Sequence, residues 1–483
     1  VVFFFGCMFA GIVPVPLNIQ MTVDQIDRIA KQTDAHHIMA HLYFKSAFPS
    51  FLKRYNIELL ADMVSSFDEV PHQILLHEHD VVEIMYTSGT TGDPKGVPLT
   101  HKNIMSNLQA LTKIFDLEPA RERLLSILPL SHILEQTIGL MLAFLYAAHI
   151  IYAHSPAAIR SLMKTYKISK MVAVPEFLHI IMSRIEQQVT RYHLSWLFGG
   201  LMRITRYGQP WSGKILFWPV RRLFGGKLDT VASGGAPLEP ALEQQWNALG
   251  IIVLQGYGLT ETSPVVTTNT YTQRRVGSVG KPLSNVTIKL ETTGELWVKG
   301  PNVFSGYYKN EEKTKKAFTP DGWFKTGDLA QIDNDGFVYI KGREKYVIIG
   351  PGGQNVFPED IEWELNKIEG VRDSAVLGSV KDHATDIHAV LLLDEAAHQR
   401  VEPIIAQAND NLASYQHITS WTIWPYDDFP RSATHKVQKE KVKEYLRQTE
   451  GKRETHVSVT ITPLVRILSS ISGIPIEHIF PTT

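Results

Sequence analysis

The chain has 483 residues, of which 44% are hydrophobic and 20% charged, and its formal net charge is −1. That length allows two or more domains, and the balance is that of a globular protein. A charge near zero provides no global field toward nucleic acid, and the single cysteine, Cys7, excludes an internal disulfide framework and fits a reducing, cytoplasmic setting.

The chain opens on "VVFFFGCMFAGIVPVPL". This run lacks a basic leader and is interrupted by Pro14 and Pro16. It reads as a core element of an N-terminally truncated domain rather than a signal peptide or membrane span. Cys7 within it reads as a buried thiol, so any thiol the chemistry needs must come from outside. Residues 22–60 alternate helical patterns with short apolar runs, as α/β layering does. "VVEIMYTSG" is expected to be a strand running into a glycine loop, and "THKNIMSNLQALTKIF" a helix with an apolar period near four. "LLSILPLSH", "MVAVPEF", "LDTVASGGAPL" and "IIVLQGYGLTET" read as buried strands that end in polar, glycine-rich loops. Such strands predict a doubly wound sheet with its site along the carboxyl edge. After about residue 285 the pattern alternates strictly, with Asp335-Gly336 as a hairpin signal. A new α/β pattern starts at "YVIIGPGGQNVFPEDIEWEL", "GKRETH" is a polar linker, and "TPLVRILSSISGIPIEHIFPTT" begins a further segment.

The loop "YTSGTTGDPKGV", Tyr86 to Val97, is not a Walker A sequence, because Gly89 is followed by "TTGDPKG". Its physics is nevertheless that of an anion nest. Thr87, Ser88, Thr90 and Thr91 carry hydroxyls, Gly89 and Gly92 allow backbone N–H groups to approach closely, and Lys95 adds a point charge. On these residues alone a flexible surface turn is an equal reading.

The same loop resembles the phosphate-loop signature of the adenylate-forming superfamily: acyl-CoA synthetases, luciferases and nonribosomal-peptide adenylation domains. The resemblance continues in order through "LPLSH" (128–132), "SGGAPL" (233–238), "GYGLTE" (256–261), "GELWVKGPNVFSGYY" (294–308), "GWFKTGDL" (322–329), "GREK" (342–345), "GGQNVFPEDIE" (352–362) and "PRSATHK" (430–436). It implies a large N-terminal AMP-binding domain (1–344) of two layered α/β subdomains plus a β region. A small mobile α+β C-terminal domain (345–448), a linker (449–455) and a partial acyl-carrier-like segment (456–483) would follow.

The implied reaction joins a carboxylate to the α-phosphorus of ATP, releases pyrophosphate, and then passes the acyl group to a thiol with release of AMP. In the roles the resemblance implies, Thr87–Gly92 and Lys95 hold the β- and γ-phosphates. Gly234, Gly235 and Ala236 give an adenine or acyl chain room against the backbone, with Gly235 at the junction of the two pockets. Within Tyr257-Gly258, the Tyr257 ring offers a face for adenine. Thr260 donates to the α-phosphate, and Glu261 meets the phosphates through Mg²⁺; a helix-start capping pair before "TSPVV" is the alternative for these two. Asp328 accepts from the ribose hydroxyls and Arg343 adds a charged contact. His132 lines the acyl side, where a satisfied core histidine is the alternative. Lys436 bridges the attacking carboxylate and the α-phosphate. It follows His435, where the family usually has Gly. Lys345 is the hinge between two orientations of the C-terminal domain, although Tyr346 replaces the usual Asp. Lys439, Lys441 and Lys443 read as a solvated helix face.

Between Gln187 and Leu228 there is no Asp or Glu, while Arg203, Arg206, Lys214, Arg221, Arg222 and Lys227 are basic and Trp196, Trp211 and Trp218 are interleaved. The segment resembles that of long-chain fatty acyl-CoA synthetases. Peripheral membrane contact through 191–227 and a helical pair with a solvated basic face are equal readings. The tail resembles the first helix of an acyl carrier protein, so the acceptor is CoA or phosphopantetheine on a carrier domain. The expected activity is that of a fatty acid–thiol ligase. The rivals are an acyl-AMP ligase feeding only its own carrier domain and a non-catalytic adenylate-binding membrane scaffold. An amino-acid adenylation domain fits less well, since no Asp for an α-amine is matched near "VAVPEF".

Overall fold

The computed structural model describes residues 1–18, 21–40, 56–59, 74–87, 94–115, 117–153, 155–206, 210–349, 354–381, 384–432, 436–449 and 456–457. The chain divides into two compact units. The larger comprises Val1–Ile340 with Ser432–Lys436; the smaller comprises Lys341–Arg431 with the residues from Val437 onward. The division between them falls inside a strand, beside the 344/345 boundary expected from the motifs.

In the larger unit, β1 (His37–Ala40) and β2 (Asn56–Leu59) form a parallel pair, and β3 (Val81–Thr87) and β4 (Lys95–Thr100) an antiparallel one. The principal sheet has seven strands. These are β5 (Arg123–Ser126), β6 (His149–Tyr152), β7 (Lys170–Ala173), β8 (Thr230–Ser233), β9 (Ile252–Gly258), β10 (Val265–Thr268) and β11 (Lys281–Pro282), in the order β11-β10-β9-β8-β7-β5-β6. The run from β6 to β9 is parallel, and β10 and β11 add antiparallel edges. This is the doubly wound α/β arrangement that the apolar runs predict. A four-stranded sheet follows, with β12 (Thr287–Leu290), β13 (Glu295–Lys299), β14 (Phe324–Ile332) and β15 (Val338–Arg343). The turn before β15 uses Asp335-Gly336 as expected, and Gly336, at φ +82°, takes the left-handed conformation that glycine tolerates.

Local sequence explains where the helices start and which face they bury. The helix His101–Thr112 is capped by Thr100, whose hydroxyl accepts from Asn103 N–H while Asn103 Oδ1 accepts from Thr100 N–H. Ile104, Leu108 and Leu111, one turn apart, are its buried stripe. The helix Pro240–Ala248 places Pro at its first position and buries Trp246 completely. Between β5 and β6 runs a π-helix, Glu135–Leu142, buried at all eight positions. Gly139 leaves room for the Glu135 carboxylate, since a Cβ there would lie 2.3 Å from Oε1. Of the N-terminal run expected in the core, the helix Val2–Phe9 buries Cys7, and Phe4, Phe5 and Met8 lean on the main cluster, while Val2 and Phe9 are exposed.

The segment between β7 and β8 is helical: Pro175–Arg191, Ser195–Arg206, Pro210–Leu216 and Trp218–Arg221. One basic residue of this segment departs from the surface role expected of it. Arg221 is buried and donates to the carbonyls of Gly250 at 2.8 Å, Leu249 at 3.3 Å and Leu228 at 2.7 Å. A guanidinium with several backbone acceptors is an internal strut, because burial is tolerable once its donors are engaged.

The smaller unit has the pair β16 (Ile348–Ile349) and β17 (Asn355–Val356). It also has a four-stranded sheet of β18 (Val371–Lys381), β19 (Ala384–Leu393), β20 (Ser420–Ile423) and β21 (His456–Val457). Helices Pro358–Asn366, Val401–Asp410 and Lys439–Thr449 complete it. Lys439, expected on a solvated face, is buried instead. Its Nζ lies 2.8 Å from Glu362 and 3.5 Å from Glu359, and 5.5 Å from the Tyr346 ring centroid. Neighbouring Lys441 is exposed as expected. The carrier-like stretch 458–483 lies outside the described residues.

Glu83, in the middle of β3, is fully buried, and neither carboxylate oxygen has a partner at hydrogen-bonding distance. Burial pushes its pKa up to about 8, with the Gln136 amide pulling the other way. A carboxyl whose pKa is raised on folding contributes most stability below its unfolded pKa. That contribution is lost as pH rises toward the folded value. Glu83→Gln is therefore expected to flatten the fall of stability between about pH 5 and pH 8 by roughly 1.4 kcal/mol per pH unit. Urea unfolding at several pH values measures this, and parallel slopes for the two proteins would refute it.

Candidate active site

The carboxyl ends of β8 and β9 lie side by side, with Ser233 opposite Gln255 in the parallel register. Chain leaving these two strands, together with the loop before the π-helix, encloses a cavity of about 170 Å³ in the larger unit. Six of the residues singled out in the sequence line it: His132, Gly234, Gly235, Tyr257, Gly258 and Thr260. The rest of the wall is largely apolar, with Leu111, Phe115, Ile133, Leu134, Ile138 and Val265 among its residues and no charged side chain other than the titratable His132. Ala236 follows Gly235 in the chain but is not part of the wall.

Two glycines are required by geometry. Gly235 sits at φ +84°, where a side chain would strain the backbone. Gly258 ends β9 against the next strand, and a Cβ there would fall 1.7 Å from the Pro264 carbonyl oxygen. The turn between β9 and β10 is held by short bonds. The Thr262 hydroxyl donates to the Pro264 carbonyl at 2.6 Å and accepts from Leu259 N–H at 2.9 Å, and Asn302 Nδ2 donates to the Thr262 carbonyl at 2.9 Å. Thr260 and Glu261 thus stand on a 3₁₀ turn, Thr260–Thr262, and not at the start of a longer helix. The peptide bond Ser263–Pro264 is cis.

His132 accepts a hydrogen bond at Nδ1 from Leu134 N–H, 3.3 Å away. An acceptor at Nδ1 places the remaining proton on Nε2. Desolvation lowers the pKa of this histidine to about 4, so the ring is neutral at ordinary pH. Behind it the π-helix opens with Glu135, buried and pushed up to about 7 by desolvation.

Tyr257 and Asp328 are joined directly: the Tyr257 hydroxyl donates to Asp328 Oδ2 at 2.6 Å. Asp328 is buried on β14, and its N–H donates to the Thr326 hydroxyl at 3.1 Å. The tyrosine ring therefore lines the cavity while its hydroxyl orients the carboxylate behind it. Glu261 Oε1 accepts from the Tyr307 hydroxyl at 2.9 Å, and the Lys95 ammonium lies 5.1 Å from the centroid of the Tyr307 ring. A cation and a carboxylate thus meet on one tyrosine. Across β3 and β4, Thr87 pairs with Lys95, closing the base of the loop between them. Ser88, Gly89, Thr90, Thr91 and Gly92 lie outside the described residues.

The remaining expected residues stand elsewhere. Lys436 is exposed and groups with the larger unit; its N–H donates to the Ser432 hydroxyl, and its carbonyl accepts from Ser432 N–H at 2.8 Å. Arg343 and Lys345 belong to the smaller unit. Lys345 Nζ donates to the Tyr346 hydroxyl at 2.8 Å and lies 3.6 Å from Glu440. The sequence reading passed over Tyr307 and Ser233, although both lie inside quoted motifs. Ser233 is buried, lines the cavity, and its hydroxyl has no hydrogen-bond partner, which leaves it able to meet a ligand.

Among the described residues, no group of three or more His, Cys, Asp or Glu could cage a metal ion. Glu261 alone suits Mg²⁺ carried in on a polyphosphate, since that ion takes one or two carboxylates and completes its shell with phosphate oxygens and water.

The AMP-binding enzyme family matches the chain over residues 1–308. The long-chain-fatty-acid–CoA ligase FadD15 of Mycobacterium bovis is 33% identical over 341 residues, 67% of this chain and 56% of that protein. A malonate–CoA ligase of Arabidopsis thaliana is 30% identical over 391 residues, 77% of this chain and 62% of that protein. The chain thus spans 56% and 62% of the length of these two relatives. Among solved structures, ATP-bound MatB from Rhodopseudomonas palustris superposes with a TM-score of 0.75 at 28% identity, covering 92% of this chain and 86% of that one.

Gly258→Ala is expected to force β9 away from Pro264 and cost about 1–3 kcal/mol. Denaturant midpoints would show the loss, and an unchanged midpoint would mean that the turn can move aside.

Proposed function

The chain belongs to the AMP-binding enzyme family, and on that premise we propose that it activates a long-chain fatty acid as its acyl-adenylate and transfers the acyl group to CoA. In the first step a carboxylate oxygen attacks the α-phosphorus of ATP and the bond to pyrophosphate breaks. In the second a thiolate attacks the acyl carbon and AMP leaves with the bonding pair, the thiol proton passing to solvent.

The observation that carries the substrate class is the wall of the cavity. The relatives include ligases for a long-chain fatty acid and for malonate. A second carboxylate on the substrate would need a cation or several donors in the acyl pocket, because a buried unpaired charge is costly. This wall offers Leu111, Phe115, Ile133, Ile138 and Val265, with a neutral His132. It suits an acid whose far end is apolar.

In this reading the ring of Tyr257 faces the adenine and Asp328, oriented by the Tyr257 hydroxyl, takes the ribose hydroxyls. Lys95 and the loop it closes take the β- and γ-phosphates. Thr260 donates to the α-phosphate, and Glu261, held by Tyr307, would hold Mg²⁺ brought in with the nucleotide, which would supply positive charge beside the pyrophosphate. His132 presents Nε2–H toward the acyl side. Lys436 supplies positive charge between carboxylate and phosphate, Arg343 contacts the nucleotide, and Lys345 is the pivot on which the smaller unit turns between the two steps, in the cytoplasm.

Acid-dependent ATP–pyrophosphate exchange across fatty acids of rising length, followed by CoA, tests this. Exchange is expected with long saturated acids and not with malonate, and AMP should be released rapidly on adding CoA. Exchange with malonate would overturn the acid, and failure to respond to CoA would shift the acceptor to a carrier-bound thiol. Lys436→Ala is expected to slow exchange by roughly 10²–10³-fold while leaving acyl transfer from a supplied acyl-adenylate to CoA within a few-fold. Equal losses in both steps would refute the role given to Lys436.

A further inference from the structure

We propose that the outward face of the helical segment between β7 and β8 docks on an anionic phospholipid bilayer. The helix Ser195–Arg206 has two unlike faces. Its inner side puts Phe198, Leu201 and Met202 against the core cluster that contains Leu125, Phe217 and Trp246, and the buried Thr205 hydroxyl donates to the Leu201 carbonyl at 3.0 Å. Its outer side, where solvent contact would call for polar residues, carries Trp196 at 77% exposure and Ile204 at 65%, with Leu197 beside them. The next helix, Pro210–Leu216, packs beside it and Trp218–Arg221 packs on that one, extending the same chemistry with Ile215 at 65% and Trp218 at 52%. The core beneath is already filled by other side chains, so these residues are not core residues turned outward. A cluster of large exposed apolar side chains in one short stretch marks a surface that meets something.

Charge says what that partner is. Arg203, Arg206, Lys214, Arg222 and Lys227 are exposed on this segment, and from Gln187 to Leu228 the sequence has no acidic residue. On the helix Ser195–Arg206, at 100° per residue, Trp196, Leu197 and Ile204 occupy one flank of the outer face and Arg203 and Arg206 the other. A second copy of the chain is a poor occupant, because a two-fold contact would set this basic patch against itself. An anionic bilayer meets both requirements. Tryptophan and isoleucine enter the boundary between headgroups and acyl chains, and the long basic side chains reach the phosphates. Among the described residues no helix is long and apolar enough to cross a membrane, so the segment would lie on the surface. Arg221, bonded to three internal carbonyls, takes no part.

Flotation of the whole chain with vesicles, without ATP or fatty acid, tests the docking separately from the proposed reaction. Vesicles of phosphatidylcholine with phosphatidylglycerol are expected to bind it, pure phosphatidylcholine much less, and added salt should weaken binding. Trp196→Ser with Ile204→Ser should lower partitioning about tenfold or more, and Arg203→Ser with Arg206→Ser about tenfold on anionic vesicles alone. All four positions are exposed, and unchanged urea midpoints would confirm that the variants fold. No binding, equal binding to neutral and anionic vesicles, or binding indifferent to both pairs would overturn the proposal. So would a dimer seen by light scattering that the same substitutions dissociate.

Discussion

The pairing of β8 with β9 is the constraint on which the rest of the site depends. The two strands are parallel, β8 buried throughout and β9 at Val253–Gln255, and their register sets Ser233 against Gln255. Backbone hydrogen bonds therefore fix the spacing between "SGGAPL" and "GYGLTE", and no side chain at the site has to hold them together. A slip of one residue would turn every side chain of the strand to the opposite face. It would also drive the end of β9 into Pro264, where Gly258 already leaves no space for a Cβ. The cavity follows from this packing, which leaves the loop side chains to differentiate its two ends.

The surroundings of this cavity differ in polarity for identifiable reasons. One side is the chain after Thr260, where, outside the wall itself, Lys95, Tyr307 and Glu261 bring opposite charges around a single ring. The other lies under the π-helix, whose residues are all buried and which keeps Glu135 and His132 without charge over part or all of the neutral range. Against the apolar wall under the π-helix an acyl chain finds little competition from water.

Much of this was legible in the sequence because it is local. Strands that run into glycine loops, the capped helix after Thr100 and the Asp335-Gly336 turn announce themselves within a few residues. The motifs also named His132, Gly234, Gly235, Tyr257, Gly258 and Thr260 among the residues that line the cavity. What escaped depends on partners far away in the chain. Lys439 looks like one of a row of helix-surface lysines, and only contacts with Glu359 and Glu362, about 80 positions earlier, make it a buried charge. Arg221 sits in a basic run, yet its acceptors include Leu249 and Gly250, nearly thirty positions later, in the connection that leads into β9. Tyr257 and Asp328 each read as a group for a ligand, and their bond to one another spans two sheets. Tyr307 was hidden by a motif whose glycines and aromatics draw attention to shape, whereas its hydroxyl does the electrostatic work.

The burial of Lys439 has a consequence for chemical labelling. Lys441, two residues on, is exposed, so an amine-reactive reagent meets two lysines of the same helix under opposite conditions. In the native protein Lys441 is open to acylation, while Lys439 is shielded by the fold and held as an ammonium by two carboxylates. Modification at Lys439 therefore requires the helix to leave the sheet. The ratio of label at these two neighbouring positions is an internal clock for that opening, read from a single peptide without a spectroscopic probe.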